Sequence, residues 1–219
     1  TGIILSTFLL LQMYSVKFTT ASASSFLLNV NPIITYLLAF LILKEEHQWW
    51  GFIGVIVSIG GVFLIAVPID EIGNLFASQL FLGNIMAFLS GFAWAVYSIY
   101  IKRFLKKEDP VICTTWSIIV STIILCIAMV IFEGGFPQNL NWVSTCLLLF
   151  MGIIPTAIAF TLWLYVIGKT PVQKLSVFQF LIPIIATLLA VLFLNETLNK
   201  FFYIGAGLII IGLLITQKA

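Results

Sequence analysis

Eight apolar stretches, each close to the length needed to cross a lipid bilayer, dominate this chain. They run over residues 2–16, 21–43, 49–67, 79–101, 111–132, 143–167, 172–194 and 200–216. A helix needs about 20 apolar residues to span the hydrocarbon core. Backbone in lipid must satisfy its own hydrogen bonds, which leaves helices or closed barrels. A barrel would show segments of about ten residues with alternating polarity, whereas these runs are continuous. The expected fold class is all-α, a polytopic transmembrane helical bundle. Composition agrees: 62% of residues are hydrophobic and 8% charged, against about 25% charged in an average globular chain. A net charge of +2 gives no footing for a nucleic acid, so the lipid bilayer is the expected macroscopic partner.

The basic residues are unevenly placed. Connections between spans alternate between the two faces of the membrane. One face carries Lys44, Lys102, Arg103, Lys106, Lys107, Lys169, Lys174 and Lys218; the other carries Lys17 and Lys200. The positive-inside rule makes the first face cytoplasmic, which predicts a multi-pass protein of the cytoplasmic (inner) membrane with its C-terminus inside. Cys113, Cys126 and Cys146 lie in apolar runs at no metal-binding spacing, so neither a metal nor a cofactor is expected.

The chain writes one stretch twice. "NPIITYLLAFLILKEEHQWWGFIGVIVSIGG" (31–61) and "IPIIATLLAVLFLNETLNKFFYIGAGLIIIG" (182–212) align without a gap at a shift of 151 residues. Pro32 falls on Pro183, Glu45 on Glu196, Gly54 on Gly205 and Gly61 on Gly212, and 13 of the 35 pairs from 32 to 66 are identical. Pro32 belongs to the second span and Pro183 to the seventh. Five crossings separate them, so the two copies are expected to be inverted in the membrane, as in many secondary transporters. The second copy, 79–217, has five spans; the first, 1–68, has three. Two further helices are therefore expected upstream, giving ten in all and making this chain an N-terminally truncated piece.

The doubled motif of proline, then glutamate near the helix end, then glycines in the next helix resembles the drug/metabolite transporter superfamily, EamA type. The resemblance covers essentially the whole chain. It implies inverted five-helix repeats, of which eight of ten helices are present. It also implies a permease or exporter of small metabolites, an efflux protein whose partner is a small-molecule substrate. What the missing helices contribute to substrate or ion binding is not legible here.

The prolines mark where a site is expected. Pro32 and Pro183 are each the twelfth residue of a 23-residue span. Proline lacks an N–H and crowds the carbonyl four residues back, here those of Leu28 and Gln179. Such backbone is tolerated only where protein or water covers it, so both prolines should face the interior at mid-membrane. A packing kink with no ligand is the alternative. Ser22, Ser25, Asn29, Pro32 and Tyr36 recur at helical spacing, and Gln173, Ser176, Gln179, Pro183 and Thr187 trace a similar stripe. Polar groups at this depth face a cavity or the bundle interior, so these stripes are the expected substrate-binding faces. Asn31, on the opposite side of its helix from Asn29, receives no role beyond a hydrogen bond to a neighbouring helix.

Trp94 lies on a face with Asn84, Ala87, Gly91 and Ser98, and Trp163 on one with Gly152, Thr156 and Ala159. At the shift of 151, Gln12 meets Trp163. Gln12, Trp94 and Trp163 join the substrate-binding candidates because an indole offers a ring face and an N–H; membrane packing is the competing role for each aromatic. The glycines of Gly54/Gly61 and Gly205/Gly212 should let helices approach closely, and such faces also admit a homodimer. No ionisable residue sits at the middle of any span and His47 falls in a connection, so no catalytic residues are expected. The function expected is secondary transport by alternating access of amino acids, amines or drug-like solutes. The alternatives are a non-transporting membrane scaffold and, behind it, an intramembrane enzyme.

Overall fold

The computed structural model describes residues 1–45, 49–66, 80–135, 141–194 and 200–218. Among them the regular structure is helical: α1 Gly2–Phe18, α2 Ala21–Leu28, α3 Asn31–Leu38, α4 Trp49–Ala66, α5 Phe81–Phe104, α6 Pro110–Glu133, α7 Trp142–Met151, α8 Phe160–Lys169, α9 Val172–Ser176, α10 Leu181–Leu194 and α11 Lys200–Lys218. Seven helical spans are long and apolar enough to cross a membrane, and Gly2–Phe18 is a shorter eighth. The protein is an all-α polytopic membrane bundle. Its spans follow the apolar runs, because hydrophobic length decides where a helix can cross.

Local signals set the ends. Thr20 accepts a hydrogen bond from the Ala23 amide (3.1 Å), and Asn141 accepts one from Ser144 (2.7 Å), each satisfying an N–H that the first turn leaves free. α6 starts with Asp109 accepting from Val111 (2.7 Å) and with proline in its first turn, and it stops at Gly134, whose φ of 74° suits a residue without Cβ.

The outer surface is apolar, with Leu147, Ile154, Leu192 and Phe193 all more than 40% exposed, whereas most of the buried polar residues are small, such as Ser58, Ser90, Ser98, Ser117 and Ser121. That inversion of a soluble protein's pattern follows from having no water to meet at the rim.

The longest helix pairing joins α4 and α11, which run antiparallel. A Cβ on Gly54 would lie 2.5 Å from the Gly212 carbonyl, and one on Gly205 would lie 2.6 Å from the Gly61 carbonyl. Ser58 donates to the Ile209 carbonyl (3.4 Å) and Thr216 to that of Gly51 (3.2 Å). The glycine faces expected to admit a homodimer are thus engaged within the chain, backbone against backbone. The second large assembly sets α1 against α5 and α6, around a core of Leu5, Tyr97, Ile99, Leu164 and Ile167.

One end of the bundle collects basic side chains and free carbonyls. Lys102 donates to the Ile167 carbonyl (2.7 Å), Arg103 to that of Ile42 (3.3 Å) and Lys174 to that of Gln217 (3.1 Å). Towards the opposite end, Lys17 pairs with Glu133, which also accepts from the Tyr14 hydroxyl (3.1 Å). His47 and Glu196 lie outside the described residues.

Candidate functional site

Both proline-bearing spans depart from regular helix just before the proline. In the first, α2 ends at Leu28, Asn29 and Val30 form a turn, and α3 begins at Asn31 with Pro32 in its opening turn. In the second, the chain tightens into a 3-10 turn over Val177–Phe180 before α10. The Leu28 carbonyl, which the missing Pro32 N–H would otherwise strand, accepts from the Asn31 side-chain amide at 3.1 Å. Gly91 on α5 comes close to the same carbonyl; a Cβ there would lie 2.9 Å from it. A residue with a side chain at position 91 would hold α5 away from the break.

A cavity of 260 Å³ opens beside the two breaks. Leu28 and Asn31 line it from the first broken helix, and Gln179 and Ile182 from the second. These four positions are two pairs at the shift of 151, Leu28 with Gln179 and Asn31 with Ile182. Phe8, Trp94 and Trp163 complete the wall. Trp94 stacks on Trp163 (centroids 6.4 Å apart, planes 28° apart) and on Tyr97 (5.7 Å, 26°), and Phe8 tilts against Trp94 at 4.9 Å. Pairs at such offsets lock ring orientation by about 0.5–1.5 kcal/mol each. The result is one rigid aromatic wall facing two interrupted helices.

The sequence candidates divide around this cavity. Trp94, Trp163 and Gln179 line it together. Asn29 is buried but its amide returns to the Ser25 carbonyl of its own helix (2.8 Å), and the Ser25 side chain is exposed. Tyr36 is buried in a second apolar cluster with Val55 and Phe180, its ring 6.0 Å from that of Phe52. Gln12 bridges α1, α2 and α5, accepting from Ser90 (2.9 Å) and reaching Ser24 at 3.5 Å. Ser176 donates to the Gln173 carbonyl (2.9 Å), Thr187 to that of Pro183 (2.9 Å), and both prolines are buried. Nothing is described for the Ser22 side chain.

Asn31, which sequence reasoning gave no part in the site, is the polar side chain of the first half that meets the cavity. Its one available signal was its place directly before the mid-membrane proline, within reach of the carbonyl that proline strands. Glu45 has a part that its place near a helix end does not announce. Its carboxylate accepts from the backbone N–H groups of Val172 (3.1 Å) and Gln173 (3.4 Å), so it caps the start of α9.

A larger cavity of 770 Å³ lies between α1 and α6, beside the Lys17–Glu133 pair, and is lined by Leu10, Met13, Leu125 and Met129 among others. The proline-broken helices contribute nothing to its lining. Among the described residues no cluster of His, Cys, Asp and Glu could hold a metal.

Comparison with known proteins gives a consistent result. An uncharacterized transporter of Archaeoglobus fulgidus is 28% identical over 94% of this chain and 70% of its own length. The Bacillus subtilis protein YoaV, also named an uncharacterized transporter, is 23% identical over 91% of this chain and 68% of its own length. An uncharacterized transporter of Clostridium kluyveri is 27% identical, and the chain spans 66% of that relative. One crystal structure superposes over 97% of this chain and 74% of its own, with a TM-score of 0.86 at 20% identity, which shows the same fold. A family profile described as the EamA-like transporter family matches residues 1–67 and 81–217. With nearly its whole length matched, the chain belongs to the EamA-like transporter family.

Proposed function

We propose that the protein is a secondary transporter that moves small organic metabolites across the cytoplasmic membrane by alternating access, with the cavity at the two helix breaks as its solute site. The observation that carries this reading is the composition of the cavity wall: equivalent positions of both repeats, 28 with 179 and 31 with 182, meet at one place. Secondary transporters bind solute at broken helices near the midplane between repeats. The contacts between α4 and α11 support an inverted relation. Shifting Gly54 and Gly61 by 151 gives Gly205 and Gly212, so the pairing of Gly54 with Gly212 turns into that of Gly61 with Gly205, which is the other pairing observed. Ser58 and Ile209, equivalent positions themselves, meet each other. A two-fold axis in the membrane plane produces this exchange. Carried over by the same symmetry, the packing of α1 on α5 and α6 would call for two further helices against the span Trp142–Lys169, of which only 6% of an 18-residue apolar stretch is buried.

The test is counterflow with the full-length protein in liposomes preloaded with a mixed panel of amino acids, amines and neutral metabolites. One solute class should exchange, and Trp94→Ala and Gln179→Ala should each slow it at least tenfold. Exchange by the wild type that both variants match would move the site elsewhere. No exchange of any solute would end the transport reading.

A further inference from the structure

The turn between α8 and α9 is held from both sides by charged groups of other spans. α8 ends at Lys169 and α9 begins at Val172, so the chain there carries carbonyls and N–H groups that have no helical partner. Lys102, near the end of α5, donates to two of the carbonyls, those of Ile167 (2.7 Å) and Thr170 (2.5 Å). Glu45, after the first broken span, accepts from two of the amides, those of Val172 (3.1 Å) and Gln173 (3.4 Å). All four bonds are charge-assisted, the stronger kind, and they tie one turn to two other spans. Beside them Val172 and Leu175 are buried in one cluster with Ala39 and Tyr97, which closes this end of the bundle.

The two copies of the repeat differ at this closure. α3 packs against α9. Shifted by 151 residues, α3 becomes 182–189 of α10 and α9 becomes 21–25 of α2. Among the described residues α10 and α2 are not packed together in that way. The same contact is therefore made at the basic end of the bundle and unmade at its counterpart. Packed interfaces have discrete arrangements and do not deform continuously. A carrier that exchanges the two arrangements has to break the bonds on the α8–α9 turn. That turn is also placed to move the cavity wall, since Gln179 follows Val172 by seven residues in the same span.

We infer that Lys102 and Glu45 form the latch of a gate at the basic end of the bundle, which opens only when both release the α8–α9 turn. The inference rests on the alternating-access reading above and names the residues that govern it. Neither residue lines the cavity, so both are positioning residues.

The test uses the full-length protein with Cys113, Cys126 and Cys146 replaced by alanine. Leu175→Cys places a thiol beside the turn (8% exposed), and Val55→Cys places a control thiol in the buried cluster that holds Ile209 (0% exposed). Modification by a water-soluble maleimide in nanodiscs reads how often each thiol is uncovered. Lys102→Met keeps the stem and loses the ammonium; it should raise modification at position 175 about fivefold. Glu45→Ala should do the same from the other side of the turn, and modification at position 55 should stay within twofold. Lys102→Arg should keep position 175 within twofold of the wild type. In liposomes Lys102→Met should slow counterflow about threefold, and Lys102→Arg should not. Unchanged modification at 175 in both Lys102→Met and Glu45→Ala overturns the latch. An equal rise at 55 overturns it too, because the whole bundle has then loosened. Raised modification at 175 with exchange as fast as the wild type also overturns it, because the turn then frays without gating. In a wild type that exchanges solute, these three results leave transport standing. Raised modification at 175 alone, in a protein that exchanges no solute, upholds the latch and overturns transport.

Discussion

An alanine at Gly212 would drive its methyl group into the Gly54 carbonyl and the Ser58 backbone. Neither can yield without moving a helix, so Gly212→Ala should cost about 1–3 kcal/mol, the range for overpacking. Gly60, on the same helix as Gly54, has nothing within 4 Å of a Cβ; Gly60→Ala should be neutral or stabilise by up to about 1 kcal/mol through helix propensity. Thermal unfolding in detergent separates the two, and equal shifts would contradict the backbone contact. Lys44 holds a left-handed backbone conformation (φ 54°) as the helix hairpin turns. Glycine takes that conformation without a Cβ clash, so Lys44→Gly should leave the unfolding temperature unchanged or raise it. At this level the sequence was partly legible. Gly54, Gly61, Gly205 and Gly212 announced close packing through their spacing, but not whether the partner helix lay in the same chain. Asn31 was left without a role in the site because helical periodicity tells which residues share a face, not which of two polar faces lines a cavity.

Glu45 fastens the end of the first broken span to the beginning of the second by accepting from the Val172 and Gln173 amides. A carboxylate on a helix N-terminus contributes about 0.3–1 kcal/mol beyond its hydrogen bonds. Glu45→Ala should therefore speed hydrogen exchange of the peptide covering 171–176 several-fold and leave the α4 amides unchanged; equal protection in both would remove the cap from the account. The eight spans were legible because hydrophobic length is a strong signal over 20 residues. The irregular segments inside them were less so. Pro32 announced a disturbance, and the structure makes it a full break at Asn29 and Val30, with a new helix starting at Asn31. The wide π-helical turns at Ala39–Leu43 and Gly152–Ala159 left no mark in composition beyond Pro155 in the second. Such turns depend on how neighbouring helices pack, which no single stretch records.

Over the whole chain, the repeat was readable from the registered Pro, Glu, Gly and Gly, since their spacing survives where apolar identities mean little; the inverted relation between its copies is the proposal made above. Which helix lies against which was not, because lipid and helix interior are both apolar and the pattern cannot tell them apart. Trp142–Lys169 shows this: its outward Leu148, Ile154 and Ile158 are 45–58% exposed. If two helices cover that face in the whole protein, spin labels at positions 148, 154 and 158 should be shielded from oxygen dissolved in the lipid; full lipid accessibility would leave the span at the rim. The α4–α11 pairing has a last consequence. Helices seated backbone to backbone have no room to slide, so in the alternating access proposed above they would form an axle about which the remaining spans pivot. Labels on Ile56 and Ile210, both lipid-facing, should report one distance in every stage of the cycle, while labels on Leu41 and Phe178 should report two. Evolution would then be free to vary the solute cavity without retuning the motion, because the bearing and the cargo hold share no side chain.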